Sequence, residues 1–198
     1  MYWFNPKNII KAALSGGFLL LITFLFSCRP DNRQSGAKMV YFDLKAFFRS
    51  DSARLAGLNP PVVKTVVHNG TVETKTVHIG NWSQELNLFI QSDINRPAWK
   101  NSYSVSNSDS AVIYKALTPE LKTRRIIIKK AGEKVQWVLI YNHTKNLLYE
   151  TSEKLSYFPD SLYLIEKTQH VRLMGRNDYK VQGTLPKRQV NIPLKPCR

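Results

Sequence analysis

Between residues 111 and 185 the sequence runs through six strand-like stretches, 111–117, 122–130, 134–142, 147–151, 161–169 and 179–185, with no gap long enough for a crossover helix. Short connections can join only antiparallel neighbours, because a parallel pair needs a dozen or more residues to bring the chain back to the same end. Turn chemistry at Ala131-Gly132-Glu133-Lys134, His143-Thr144-Lys145-Asn146 and Gly175-Arg176-Asn177-Asp178 marks three reversals. The second half therefore reads as an antiparallel meander. Its central strands, Ile126-Ile127-Ile128 and residues 135–141, are apolar on both faces. Helices should cover one face. The sheet's own curl, the tail or a ligand must cover the other.

The first half supplies those helices. Over 39–58, Val40, Leu44, Phe47/Phe48, Leu55 and Leu58 fall on an i, i+3/i+4 ladder. Gly57 and Asn59-Pro60-Pro61 end it, since proline cannot continue the hydrogen-bond ladder. Over 62–79 two Val/Thr-rich runs flank Asn69-Gly70, the pair favoured in two-residue hairpin turns. That turn sets His68 opposite Thr71, Val67 opposite Val72, Thr65 opposite Thr74 and Lys64 opposite Lys75. A second helix is predicted over 81–94, with Asn81 as cap, Gln84 completing a capping box, and Trp82, Leu86, Phe89 and Ile90 as the apolar stripe. Trp99 and Tyr103 follow in a Ser/Asn-rich segment read as a loop ending near Ser110. The expected class is α+β: helix, β-hairpin, helix, then an antiparallel β-meander forming a curled sheet with the helices on one face. One domain spans 39–185, and 186–198 is an irregular tail.

The N-terminus argues for export. Lys7 and Lys11 precede an apolar run over 12–26, and Ser27 then precedes Cys28. This is the n-region, h-region and small-residue cleavage pattern of a signal peptide, 1–27. The run falls short of the roughly 18–20 residues that span a bilayer. Leu25-Phe26-Ser27-Cys28 resembles a bacterial lipobox, which makes Cys28 the expected site of lipidation and residues 28–38 a polar tether. Acyl chains contribute about 0.8 kcal/mol per buried methylene, so two or three anchor stably. With Cys28 acylated, Cys197 has no intramolecular partner, and no structural disulfide is expected.

The chain carries a net charge of +15. Nucleic acid is not the expected partner of an exported protein; anionic headgroups or an acidic envelope polymer fit better. The motifs of metalloproteases, serine hydrolases and P-loop enzymes are absent from the sequence. His68, His78, His143 and His170 have no ligand spacing, so no metal and no cofactor is expected. The pairs Asp43/Asp51 and Glu150/Glu153 read as solvated surface acids. The segment from Lys122 to Lys130 carries a basic surface. On a regular strand Arg125 and Lys129 share one face, while Arg124 lies on the other with Ile126 and Ile128.

Four stretches together, Tyr41-Phe42-Asp43-Leu44-Lys45, Val63-Lys64-Thr65-Val66, Ser92-Asp93-Ile94-Asn95-Arg96-Pro97-Ala98-Trp99 and residues 155–163, resemble a family of small, functionally uncharacterised lipoproteins of Bacteroidetes-type bacteria. The resemblance implies compartment and architecture: a lipid-anchored protein of the bacterial cell envelope, expected at the outer membrane. It implies no activity. The expected function is non-catalytic binding of lipid or another hydrophobic ligand in a sheet-lined apolar cavity, with Ile126, Ile128, Trp137 and Leu139 as lining. The alternative is an interaction module that docks an envelope protein through the hairpin edge or the basic surface.

Overall fold

In the computed structural model, which describes residues 40–186, the first regular element is helix α1, Leu44–Leu58. Its first turn is capped by Asp43, whose carboxylate accepts the Ala46 N–H at 2.8 Å. The apolar ladder resolves into Leu44, Phe48 and Leu55, all buried, while Val40 and Leu58 are exposed. The helix stops at Asn59, left-handed at φ 41°, whose N–H returns to the Leu55 carbonyl. Pro60 then prevents further winding.

Strands β1, Pro61–His68, and β2, Thr71–His78, form the expected hairpin in the expected register. Asn69 and Gly70 both take positive φ, 47° and 88°, which is what a two-residue turn matching strand twist requires. Lys64 and Lys75 do stand opposite each other, but each has its own carboxylate: Lys64 pairs with Glu85 and Lys75 with Glu73.

The second helix is not continuous. It divides into α2, Trp82–Glu85, and α3, Asn87–Gln91, with Leu86 out of helical geometry between them. Asn81 caps α2 as expected, accepting the Gln84 N–H at 3.0 Å. A 3-10 turn follows at Pro97–Trp99.

The segment read as a loop ending near Ser110 contains a strand, β3, Tyr103–Ser108. Its serines and asparagine have little strand preference. It forms because pairing with β4, Ala111–Ala116, satisfies its backbone along one edge of the sheet. The remaining strands are β5, Thr123–Ala131; β6, Lys134–Lys145; β7, Tyr149–Phe158; β8, Leu162–Val171; and β9, Gly175–Thr184. Two reversals lie elsewhere than the turn residues suggested. His143–Lys145 continue β6, and the turn is built on Asn146, whose side chain accepts the N–H groups of Leu148 and Tyr149. Gly175 opens β9 at φ 79° and closes a turn over 172–174.

The nine strands of the described residues form one open antiparallel sheet in the order β2-β1-β9-β8-β7-β6-β5-β4-β3. The molecule is thus mostly antiparallel sheet with few helices. The N-terminal hairpin adds to the last strand, with Val66 opposite Val181. Register divides the side chains between two faces. One carries Tyr114, Ile126, Ile140, Leu155 and Ile165 in adjacent positions on successive strands, all buried. These join Phe48, Trp82, Phe89, Tyr157 and Tyr163 in a single core cluster. The Phe48 and Phe89 rings meet at 5.0 Å, and Phe48 meets Tyr157 edge-on at the same separation. The other face carries Ile113, Ile127, Leu139 and Leu164 in one row and Lys115, Arg125, Tyr141, Lys154 and Glu166 in the next.

Candidate functional site

The four residues expected to line one cavity do not share a surface. Ile126 and Ile128 pair with Ile140 and Val138 inside the core, at 1% and 0% exposure. Leu139 and Trp137 pair with Ile127 and Lys129 on the opposite face and are half-buried. The reason is the period of two along a strand: Trp137 and Leu139 alternate with Val138 and Ile140, which take the core side.

The basic residues are rearranged by one irregularity. Thr123 pairs with Asn142, yet Arg125 pairs with Tyr141. Arg124 is the extra residue of a β-bulge, so two consecutive arginines oppose a single tyrosine. This corrects the expectation that Arg124 lies with Ile126 and Ile128. Arg124 and Arg125 instead border the same cleft, a depression of about 520 Å3 lined also by Lys115, Ala116, Leu117, Thr118, Pro119 and Tyr141. That volume lies within the ~300–1,000 Å3 usual for small-molecule sites. Lys129 keeps the face of Arg125 but lies outside the cleft.

The lining is held in place by backbone pairing and by side-chain contacts to backbone carbonyls. Lys115, Arg125 and Tyr141 occupy adjacent positions on β4, β5 and β6. Arg124 donates from Nη1 to the Thr118 carbonyl at 3.0 Å, which ties the 117–119 loop to the bulge. Among the described residues, none of Lys115, Arg124 and Arg125 has a carboxylate within ion-pairing distance. Further along the same row, Lys154 and Lys180 both reach Glu166, at 3.5 and 3.9 Å. The unneutralised positive charge therefore concentrates at the β4–β5–β6 side. Beside it runs the half-exposed apolar row Ile113–Ile127–Leu139. A cationic pocket next to an apolar strip suits a ligand with an anionic head and an apolar body.

Two acids read as solvated are not. Asp51 is 9% exposed and accepts the Tyr157 hydroxyl, with Arg54 at 2.5 Å on its other oxygen. Glu153 is 6% exposed; it accepts from Asn142 Nδ2 at 3.1 Å and lies between Lys122 and Lys167 at 3.7 and 3.6 Å. Asn142 also donates to Ser92 Oγ at 2.9 Å, which connects this polar cluster to the segment after α3. Asp43 is a helix cap and Glu150 pairs with Lys145. The carboxylates serve as anchors between elements, a role that sequence spacing does not reveal.

Burial holds several phenols neutral. Desolvation pushes the Tyr103 hydroxyl up to about 12. It raises Tyr157 and Tyr163 further, with the adjacent Asp51 and Glu85 adding to the effect. Burial likewise raises the Asp93 carboxyl. Among the described residues no group of three His, Cys, Asp or Glu side chains is placed to hold a metal ion. His68 stacks on Tyr179 at 4.3 Å, and His78 contacts the Asn59 carbonyl. Cys28, the expected signal peptide and tether, and Cys197 in the expected tail lie outside the described residues.

Of the cleft residues, sequence reading found Arg125 and missed Lys115, Arg124 and Tyr141. The available signals were the adjacent arginines and Thr118-Pro119, but the bulge that brings them together leaves no mark of its own. Comparison of the chain with protein-family models, curated proteins and solved structures finds no match.

Proposed function

We propose that the protein is a lipid-anchored, non-catalytic binding protein of the bacterial envelope, tethered through Cys28 and taking a hydrophobic ligand on the sheet face opposite its core. The helices then serve one face and leave the other to the ligand. This reading moves the binding surface from an internal cavity to the cleft and the apolar strip beside it. The observation that carries it is the 520 Å3 cleft bordered by Arg124, Arg125 and Lys115 next to Ile113, Ile127 and Leu139. The envelope assignment follows from the Leu25-Phe26-Ser27-Cys28 motif and the resemblance to Bacteroidetes-type lipoproteins.

The test uses full-length chain carrying Cys28→Ala, purified without detergent and analysed by native mass spectrometry and solvent extraction. A hydrophobic molecule should co-purify in a defined ratio and be lost on Ile127→Asp. A chain that carries no such molecule under any purification sinks the binding reading. Acyl labelling of the wild-type chain, abolished by Cys28→Ala, tests the anchor separately.

A second reading, docking of an envelope protein, has its own observation. Strand β2 is a sheet edge whose side chains are almost all exposed, with Val72 at 62%. Such an edge can accept a partner strand. Charge reversal or proline substitution along β2 should abolish cross-linking to that partner in membranes and leave ligand binding unchanged.

A further inference from the structure

The two ends of the sheet differ in chemistry. At one end the turns are polar and acidic: Asp109 between β3 and β4, Glu133 between β5 and β6, Asp160 between β7 and β8. At the other end the β6–β7 and β8–β9 turns carry Leu147, Leu148, Leu173 and Met174, exposed by 85%, 70%, 94% and 78%. Folded chains rarely leave four large apolar side chains this bare in one place unless something covers them. The two turns are neighbours, joined by the Arg172 N–H donating to the Leu148 carbonyl at 3.0 Å.

These tips also project. Thr144 and Lys145 pair with β7 and have no partner on the β5 side, whose last bond is the His143 N–H donating to the Lys122 carbonyl. Gly175, Arg176 and Asn177 pair with β8 and have no backbone partner on β1, whose turn reaches only as far as Asp178 through Asn69. Strands β6 to β9 thus extend as a tongue beyond both flanks of the sheet. A convex apolar tip fits poorly against another protein, which would need a matching groove. A bilayer needs none, because lipid closes around whatever enters.

We infer that this end of the sheet docks on the surface of an anionic lipid bilayer, with the β6–β7 and β8–β9 tips inserted at the headgroup–acyl boundary. Charge complementarity supports the choice. Arg172, at the tip, has no carboxylate partner among the described residues. Arg125 sits level with Tyr141, four positions back from Lys145 and so about 13 Å behind it at the rise of an extended strand, with Leu147 and Leu148 further out. With the apolar groups buried about 5–10 Å deep, Lys115, Arg124 and Arg125 stand above the lipid phosphates at about the range of a Debye length, where anionic headgroups still attract them. The cleft then opens toward the membrane surface, where an amphiphile could pass between the two. This inference rests on the proposed function only for the presence of a membrane.

Depth probes test it in the full chain, reconstituted in vesicles of phosphatidylglycerol and phosphatidylcholine. On a Cys197→Ser background, with Cys28 either acylated or replaced by serine so that it takes no label, an environment-sensitive fluorophore is placed at Leu173→Cys or at Glu133→Cys. Leu173 is almost fully exposed, so its replacement leaves the fold intact. The probe at 173 should blue-shift and lose most of its emission to brominated acyl chains, while the probe at 133 stays in water. Quenching at 173 should weaken in pure phosphatidylcholine and in the Arg172→Gln/Arg125→Gln variant. A 173 probe that remains aqueous overturns the inference. So does one that is shielded in proportion to protein concentration and ignores the quencher, which would mark self-association. Equal quenching in both lipid mixtures overturns the anionic part. Cys28 acylation reports separately: an acylated, membrane-held chain with an aqueous 173 probe refutes this inference alone, and an unacylated chain whose probe enters lipid refutes the anchor alone.

Discussion

Tyr157 and Tyr163 stand directly opposite each other on β7 and β8, and each donates its hydroxyl to a carboxylate on a different helix. Tyr157 reaches Asp51 on α1; Tyr163 reaches Glu85 on α2 at 2.5 Å. Each carboxylate is in turn held by a cation, Arg54 and Lys64 respectively. One cross-strand pair therefore fixes the seats of two helices that are far apart in sequence. Removing a phenolic oxygen leaves a partly buried carboxylate short of a donor, which costs about 1–3 kcal/mol. Tyr157→Phe and Tyr163→Phe should each lower stability by about that much in urea unfolding. In a double-mutant cycle, Tyr157→Phe should couple strongly to Asp51→Asn and weakly to Glu85→Gln; equal coupling to both would refute the assignment.

Gly183 faces Tyr163 in the same row, and a Cβ built there would lie 2.2 Å from the ring carbons Cε1 and Cζ. The ring cannot retreat, because its hydroxyl is fixed by Glu85. Gly183→Ala should destabilise by about 3 kcal/mol, at the upper end of overpacking costs. Gly80→Ala, which meets nothing within 4 Å, is the control and should leave the thermal midpoint nearly unchanged.

Alkaline pH should unfold the domain by a definite route. Unfolded tyrosines ionise near 10. In the folded chain burial raises Tyr103 to about 12 and also raises Tyr114, Tyr157 and Tyr163. Above about pH 10 the unfolded state releases protons that the folded state retains, so stability is complete below that pH and falls as pH rises. Absorbance at 295 nm and circular dichroism, followed together, should show these phenolates emerging only as the sheet melts. Full ionisation with an unchanged dichroism spectrum would contradict the burial of these groups.

Two helix caps should be separable from packing. Asp43→Ala and Asn81→Ala each remove an acceptor from a helix N-terminus and should cost about 1 kcal/mol. Asp43→Ser should recover most of the loss. An effect several times larger would mean that the side chain does more than cap.

What the sequence revealed was local. Asn69-Gly70 dictated its hairpin because a positive φ at two successive residues leaves few alternatives, and the register followed residue by residue. The antiparallel meander followed from connection length. Long-range decisions were hidden. The pairing of β1 with β9 depends on no motif in either strand. Strand β3 was invisible because Ser104, Ser106 and Asn107 carry no strand preference and gain their place from β4 alone. The cleft was hidden because strict alternation would have parted Arg124 from Arg125, and only the bulge reunites them. Asp51 and Glu153 looked like surface acids because their partners lie on other elements: Tyr157 on a strand far along the chain, and Asn142 opposite Glu153 on β6.

The place of β9 between β1 and β8 sets the order in which the chain can assemble. The N-terminal hairpin is ready as soon as its turn is made, yet its neighbour Val181 lies about 115 residues further along, among the slowest classes of contact to form. Until β9 arrives, β1 presents an open edge rich in valine, and an incomplete chain carries that edge exposed. A chain shortened before residue 175 loses the strand that joins hairpin to meander, and so divides the sheet in two. Completion of the sheet is thus a check that the chain has been made through β9.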